Sequence, residues 1–307
     1  MLDCPGRLFT VLPRHCAERA RHRINAVLSY RHAFHAGNHA DVLKHLTLVG
    51  LIRLLTQKEK ALWVVDTHAG AGAYALDSKF AAKQREYADG IGRLWNATAL
   101  PAALADYVAQ VRAANADGKL RVYPGSPQIA FALLRPQDRL RLFELHSTEQ
   151  KVLAGHFAGA GRRVTVTPGD GFAGVRAVLP PPSRRGLVLI DPSYETRDDY
   201  AKVVATVTDG LQRFATGCFA VWYPQLQRRE AQRLPETLTR MAGADWLHAT
   251  LSLRAPQNDG FGLHGSGMFV FNPPWKLDAA LKGALPVLAR LLAQDDTAGW
   301  TVRAQAS

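Results

Sequence analysis

The sequence predicts an α/β fold of the Rossmann type, in which helices cover a mostly parallel sheet. From Ala61 onward, short apolar runs rich in β-formers alternate with helical stretches, the pattern typical of doubly wound sheets. A chain of 307 residues can bury a full core, and its 47% hydrophobic and 21% charged content is ordinary for a globular protein.

Seven apolar runs are predicted as strands. They are Leu62–Asp66, Leu140–Glu144, Val164–Thr167, Leu187–Asp191, Phe219–Trp222, Ala249–Leu253 and Met268–Asn272. The last one is expected to run antiparallel to the rest. Before the first run, apolar residues at helical spacing predict a helix over Asp41–Thr56 that packs on the sheet.

The first and second predicted strands are unusually far apart. A crossover with its helix takes about 30 residues, whereas Asp66 and Leu140 are separated by more than twice that length. The intervening chain has helical periodicity, and a structureless loop of this size is uncommon. We therefore predict a helical subdomain, at about 78–120, inserted after the first strand.

The first 27 residues differ in composition from the rest. They are rich in arginine and lack the apolar segment of a secretion signal. We expect 1–27 to be a disordered or spurious extension, and 28–307 to form the main domain.

The cysteines and hydropathy indicate the compartment. Cys4, Cys16 and Cys218 have neither metal-binding spacing nor a disulfide framework, which favours a reducing cytoplasm. No apolar run approaches the ~20 residues of a membrane span, so we expect no membrane partner.

The net charge of +12 indicates a polyanionic partner, because lysine and arginine contacts with phosphates supply affinity for any nucleic acid. A basic surface without a specific partner is the alternative that charge alone leaves open.

A glycine turn follows the first strand, in the segment Asp66-x-x-x-Gly70-x-Gly72. Glycines let the backbone turn sharply and approach a ligand at the carboxyl ends of parallel strands. The segment from Gly70 also approximates a dinucleotide fingerprint, but that motif expects a ribose-binding acid about 20 residues on. The next strand-end acid here is Glu144, so the spacing favours S-adenosylmethionine, the methyl donor, over a dinucleotide.

Three further side chains are predicted around this cofactor. Glu144 ends the second strand and can accept both ribose hydroxyls, and Asp170 follows the third strand and can accept from the adenine amine. Ser126 precedes a helical run over Gln128–Leu134 and is first of all an N-cap, which can also contact the methionine carboxylate.

The fourth strand runs into Asp191-Pro192-Ser193-Tyr194. An adenine or cytosine amine is a poor nucleophile because its lone pair is delocalised into the ring. Asp191 and the Pro192 carbonyl can accept its two hydrogen bonds, which frees the lone pair, and Tyr194 can stack on the base. Alignment for in-line attack on the sulfonium methyl is then the main catalytic task, and Asp191 stabilises the positive charge that results.

A second segment, Asn272-Pro273-Pro274-Trp275, matches the (Asp/Asn)-Pro-Pro-aromatic pattern more closely. We favour Asp191 because its strand is expected beside the first strand, next to the cofactor. A proline pair after the seventh strand can simply end an edge element.

Several side chains are candidates for contacting RNA. Tyr30 and Phe34 can stack on bases, Arg31 and Lys44 can touch phosphates, and Arg184 with Arg185 precedes the catalytic strand. The segment that contains Tyr30 and Lys44 also holds four histidines. Gly37 interrupts their helical spacing and no cysteine is near, so we expect no metal there. Asn38 is predicted as the cap of the first helix and Asp41 as its early acid.

Eight segments together closely resemble the RlmJ family of 23S rRNA (adenine-N6)-methyltransferases. They are Tyr30–His45, Asp66–Gly72, Tyr123–Pro127, Glu144–His146, Asp170–Phe172, Ser183–Gly186, Trp222–Pro224 and Asn272–Lys276. The similarity covers Leu28 to about Lys276. It implies a class I S-adenosylmethionine-dependent methyltransferase with the helical insertion, acting on adenine 2030 near the peptidyl-transferase region.

The resemblance also implies roles for individual residues. It places cofactor contacts at His45, His68, Ser126, Glu144, Asp170 and Gly171, the catalytic acceptor at Asp191 and an RNA-contacting tyrosine at Tyr30. Two departures matter: the family chain begins near Leu28, and the family has proline where this chain has Ser193. Serine frees φ and restores an N–H, so we expect reduced but real activity.

The sequence therefore predicts a monomer that methylates 23S rRNA. A DNA adenine-N6 methyltransferase is the nearest alternative, because the same Asp-Pro-Pro-Tyr chemistry serves DNA. A non-catalytic RNA-binding relative, with Ser193 marking lost activity, is the alternative from another class.

Overall fold

The structure is a computed structural model that describes residues 34–77, 85–241, 243–257 and 262–306. The strands are β1 Trp63–Asp66, β2 Ala73–Ala75, β3 Val122–Pro124, β4 Arg139–Glu144, β5 Val164–Pro168, β6 Gly186–Ile190, β7 Cys218–Gln225, β8 Trp246–Ser252, β9 Gly265–Phe271 and β10 Gly299–Gln305. The α-helices are α1 His39–Leu55, α2 Ile91–Trp95, α3 Ala102–Ala113, α4 Ser126–Leu133, α5 Ser147–His156, α6 Gly171–Val178, α7 Asp198–Arg213, α8 Arg229–Thr239 and α9 Leu277–Leu292.

Eight strands form the main sheet, in the order β10-β8-β9-β7-β6-β1-β4-β5. Five of them, from β7 across to β5, are parallel, whereas β9 is antiparallel to both β7 and β8. All seven predicted strands are confirmed. The predicted count of seven is corrected to eight because β10 pairs antiparallel with β8. A short ribbon of β2 and β3 lies apart from this sheet.

Helix α1 confirms the predicted first helix and its cap. The Asn38 side chain accepts hydrogen bonds from the backbone amides of Ala40 and Asp41, and Asp41 is the acid of the first turn. Gly37, at a φ of +78°, makes the sharp entry. Most of the helix is buried, because it contacts α3, α4, α9 and β9.

The long connection between β1 and β4 is largely helical where the structure describes it. From residue 85 onward it contains a 3-10 helix at Glu86–Asp89, then α2, α3, β3 and α4. Glu86 accepts a hydrogen bond from the Asn38 amide at 2.9 Å and lies 3.0 Å from the His35 ring nitrogen. Tyr107 and Val108 of α3 share the hydrophobic cluster of α1, so this connection and α1 are packed around one core.

Strand direction divides the sheet into two edges. The carboxyl edge is where β1, β4, β5, β6 and β7 end, and the amino edge is where they begin. Antiparallel β9 ends at the amino edge, since Phe271 pairs with Phe219 near the start of β7. As expected, Asp191 comes after a strand that pairs with β1. Asn272 lies at the opposite edge of the sheet. The expectation that β9 is an edge strand was wrong, because it lies between β7 and β8.

Among the described helices, none is both long and apolar enough to cross a membrane.

Candidate active site at the carboxyl edge

Asp66, at the end of β1, organises the glycine turn. Its carboxylate accepts hydrogen bonds from the Ser126 hydroxyl at 2.7 Å and from the His68 amide at 3.2 Å. Burial raises the pKa of Asp66 to about 6, although both hydrogen bonds act in the opposite direction. Ser126 was predicted as an N-cap, but Gly125 occupies that position and Ser126 lies inside α4. Its hydroxyl therefore ties α4 to Asp66.

Glu144, at the end of β4, closes the other side of the turn. Its two carboxylate oxygens accept from the backbone amides of Gly70, at 2.7 Å, and His146, at 2.6 Å. Gly70 has a φ of +61°, a conformation that glycine adopts without strain. Burial raises the pKa of Glu144. Each oxygen has a second lone pair, so the carboxylate can still accept hydroxyl donors.

The loop after β5 packs directly against the loop after β1. Gly171 lies so close that a Cβ there would be 1.9 Å from the Thr67 carbonyl oxygen. Asp170 is exposed and caps α6 through the Phe172 amide at 2.9 Å. The His68 ring meets the Phe172 ring edge-on, with centroids 4.7 Å apart. Burial lowers the pKa of His68 to about 3, so its imidazole is neutral.

Asp191 is held by a buried lysine from α1. The Lys44 ammonium lies 2.6 Å from the Asp191 carboxylate and 2.8 Å from that of Asp41. Burial alone would lower the pKa of Lys44, but the two carboxylates outweigh it and the pKa is raised. Lys44 was predicted to touch RNA phosphates. That prediction was wrong, because only 6% of its side chain is exposed and its charge is already paired.

The turn after Asp191 is anchored at its far end by Tyr194. This residue has a φ of +53°, and its hydroxyl donates to the Trp222 carbonyl at 2.6 Å. The ring packs on Tyr200, with centroids 4.7 Å apart, and is 2% exposed. The predicted stacking of a base on Tyr194 is not possible in this conformation. Pro192 is buried and Ser193 is exposed, so the turn is fixed at both ends with its middle in solvent.

His45 follows Lys44 on α1 and is buried with two tyrosines. Its Nδ1 lies 2.7 Å from the Tyr123 hydroxyl, which lies 3.0 Å from the Tyr107 hydroxyl. The implied cofactor contact of His45 stays a prediction.

The structure does not bring the predicted arginine pair to this site. Arg184 and Arg185 precede β6 and therefore lie at the amino edge. The Arg185 guanidinium donates to backbone carbonyls of Leu55, Lys58 and Lys60, so it is a structural residue of the loop that follows α1. Tyr30 and Arg31 fall outside the described residues.

Of the side chains in the described ranges, no three histidines, cysteines or carboxylates are grouped as metal ligands.

Comparisons with known proteins show the family of this chain. A family model described as "Ribosomal RNA large subunit methyltransferase D, RlmJ" matches residues 59–305. "Ribosomal RNA large subunit methyltransferase J" of Haemophilus influenzae is 47% identical over 277 residues, covering 90% of this chain and 98% of the relative. Its Escherichia coli counterpart is 46% identical over 276 residues, covering the same shares.

A solved structure of a Legionella pneumophila protein superposes with a TM-score of 0.79 at 33% identity, covering 87% of this chain and 97% of that one. The chain belongs to the RlmJ family of ribosomal RNA large subunit methyltransferases.

Proposed function

We propose that this chain transfers the methyl group of S-adenosylmethionine to N6 of one adenine of 23S rRNA, at the carboxyl edge of the sheet. The observation that carries the proposal is the Asp191 carboxylate, held by Lys44 at the end of the strand beside the glycine turn. Adenine 2030 as the target, a monomeric state and a cytoplasmic location are further parts of the proposal.

The residues around the glycine turn fit the cofactor. Glu144 is positioned to accept the ribose hydroxyls, and the exposed Asp170 to accept from the adenine amine. Gly70 and Gly171 let this edge pack closely, since a Cβ there would meet the Tyr74 hydroxyl and the Thr67 carbonyl, and neutral His68 borders the same turn. When bound, S-adenosylmethionine supplies an electrophilic methyl group on a cationic sulfur. The carboxylates along this edge, including Asp66, complement that positive charge.

Asp191 and Pro192 hold the target amine. The Asp191 carboxylate accepts one N–H and the Pro192 carbonyl the other, so the nitrogen lone pair turns towards the methyl group. With the cofactor bound, the fixed carboxylate would stabilise the positive charge that the nitrogen gains on methylation, and the N–H proton displaced by the methyl group would pass to Asp191. Lys44 acts as a positioning residue because it fixes the carboxylate from the side of α1.

The target base must leave its stack to reach this point. Trp222 offers an aromatic surface there, because its ring is half-buried and lies 5.8 Å from the Lys44 ammonium. Since Tyr194 is buried under the turn, we assign base stacking to Trp222 and support of the turn to Tyr194.

The test is transfer of labelled methyl groups to 23S rRNA that lacks the modification. We expect incorporation that yields N6-methyladenosine at a single adenine, mapped at position 2030. Duplex DNA with adenine targets serves as the competing substrate. Preferred methylation of DNA would replace the proposal with the DNA methyltransferase alternative. Cofactor binding without transfer to either substrate would favour the non-catalytic relative.

A further inference from the structure

The amino edge of the sheet carries a row of cations that the methyl-transfer site does not use. Two of them lie before or at the first residue of each of β1, β4, β5 and β6, and one more follows β9. They are Lys58, Lys60, Arg135, Arg139, Arg162, Arg163, Arg184, Arg185 and Lys276.

Four of these arginines have a structural role. Arg135 donates to the Thr56 and Lys58 carbonyls at 2.8 Å and pairs with buried Asp138. The guanidinium groups of Arg139, Arg163 and Arg185 also donate to backbone carbonyls. Helix ends leave carbonyls without partners, and cations stabilise them. These bonds also join the segments before β1, β4, β5 and β6 into one continuous surface.

The remaining cations have no such role. Lys58, Lys60, Arg162, Arg184 and Lys276 are exposed, and within the described ranges none of them shows an ion pair or a side-chain hydrogen bond. Acids at this edge are few: Glu59 is exposed, Asp138 is paired with Arg135, Asp245 precedes β8, and Asp278 is paired with Lys282. The surface is therefore strongly positive.

An exposed tryptophan stands at one end of this row. Trp275 is 84% exposed, and the Lys276 ammonium lies 4.7 Å from its ring centroid. Its turn is fixed because the Asn272 amide donates to the carbonyls of Ala215, at 2.7 Å, and Gly217, at 2.8 Å. An aromatic ring beside a cation, displayed on a fixed turn, is a typical stacking surface for an unpaired base.

The dimensions of the row suit a nucleic acid. Neighbouring strands lie about 4.8 Å apart, so the five intervals from β9 to β5 span roughly 24 Å. This is long enough for several phosphates. The five residues of β6 separate the two edges by roughly 17 Å, so one folded RNA can reach both.

We propose that the amino edge is a second RNA-binding surface, on which Lys58, Lys60 and Arg184 bind phosphates and Trp275 stacks on an unpaired base. The inference rests on the proposed function, because it takes rRNA as the occupant. The carboxylates Asp66, Glu144 and Asp191 lie at the carboxyl edge, where the proposed function places the methylated hairpin. The amino edge therefore holds rRNA segments outside the methylated hairpin.

The test compares two triple variants that lose the same charge. Lys58→Ala/Lys60→Ala/Arg184→Ala removes cations from the amino edge, and Lys151→Ala/Arg233→Ala/Arg290→Ala removes exposed cations from α5, α8 and α9. Methyl transfer is measured on a long unmodified 23S rRNA fragment and on a short hairpin with the same adenine. Trp275→Ala is tested in parallel as an independent variant.

On the long fragment, we expect the amino-edge triple to raise KM roughly 10-fold with kcat unchanged. The slope of log affinity against log salt should become shallower by about two to three, as for three lost phosphate contacts. Trp275→Ala should raise KM about 5-fold or more, through lost stacking. The KM for the short hairpin should change less than twofold in every variant.

Equal effects of the two triples, or no effect of the amino-edge variants on the long fragment, would overturn the inference. So would a loss of binding to anionic vesicles with an unchanged KM for RNA, which would assign the surface to a membrane. If the parent methylates neither RNA, the proposed function fails instead. The two failures are therefore distinguishable.

Discussion

Two segments of this chain share the pattern of an Asp or Asn, a proline and an aromatic residue, and the sheet places them at opposite edges. Asp191–Tyr194 follows a parallel strand and reaches the carboxyl edge, whereas Asn272–Trp275 follows an antiparallel strand and reaches the amino edge. The second segment matches the sequence pattern better, yet it lies at the wrong edge. Strand direction, rather than similarity to a motif, decides which segment can meet a cofactor.

The two segments also differ in the contacts and exposure of their side chains. Asp191 is fixed by a buried ammonium and Tyr194 is 2% exposed, whereas Asn272 binds backbone carbonyls and Trp275 is 84% exposed. Asp66, Glu144 and Asp191 lie at the first edge, and the exposed cations Lys58, Lys60 and Arg184 lie at the second. The proposed methyl-transfer site and the proposed phosphate-binding surface are therefore on opposite sides of the sheet.

The largest expected effect separates the two segments by activity. Asp191→Ala should lower kcat by about 10³-fold, because it removes the acceptor that stabilises the developing charge. Asn272→Ala should leave kcat unchanged and lower the free energy of unfolding by about 1–2 kcal/mol, because two hydrogen bonds are lost. Single-turnover methylation and urea unfolding measure the two effects. Asp191→Asn, which keeps the shape of the side chain, should behave as Asp191→Ala does; a kcat loss in Asn272→Ala instead would reverse the assignment.

The next prediction concerns the buried lysine. Lys44→Met should lower the free energy of unfolding by about 3–5 kcal/mol near neutral pH, because it leaves the Asp41 and Asp191 carboxylates uncompensated. Lys202→Met is the matched control, since that lysine is 50% exposed and lies 3.8 Å from Asp199. The control should lose less than about 1 kcal/mol. Similar losses in both variants, measured by urea unfolding, would show that Lys44 is not a buried charge partner.

The raised pKa of Asp66 gives a pH-dependent prediction. The folded protein holds the Asp66 proton up to about pH 6, whereas the unfolded chain loses it near 3.8. Stability therefore falls as pH rises between these values, and the full penalty is present above pH 6. Relative to Asp66→Asn, which cannot ionise, the parent should lose about 3 kcal/mol across this window. If the free energies of unfolding of the two proteins changed in parallel with pH, the prediction for Asp66 would be refuted.

The smallest expected effect is at Ser193. Its side chain is exposed and the turn is already anchored at Asp191 and Tyr194, so Ser193→Pro should raise kcat only a few-fold. It should also add about 0.4–1 kcal/mol of stability by restricting the unfolded chain. Kinetics on rRNA and thermal unfolding check both values. Lower activity than the parent would contradict the view that serine loosens the catalytic turn.

Much of the fold could be predicted because it depends on local pattern. The buried runs that become β1 and β6 are continuous and apolar, and the Asn38 cap follows from its neighbours. Strand β10 could not be found in this way, since it is largely exposed and has no buried run.

The site was harder to predict because long-range pairing decides it. Burial of Lys44 depends on its pairing with Asp191, 147 residues away. The sequence contained one signal of a buried lysine, because Asp41 lies three residues before Lys44 in an apolar helix. The location of Arg184 could have been predicted, because a residue that precedes a parallel strand lies at the amino edge. Burial of Tyr194 depends on Tyr200 and Trp222 packing against it, which no spacing reveals.

The most direct test of the account is a structure of this protein with S-adenosylmethionine bound. If the amine lies within hydrogen-bond distance of Asp191 and in line with the methyl group, the cofactor sulfur must lie within roughly 8 Å of that carboxylate. We expect the sulfur there, with Glu144 on the ribose. A sulfur beside Asn272, or well beyond this distance from Asp191, would contradict the account.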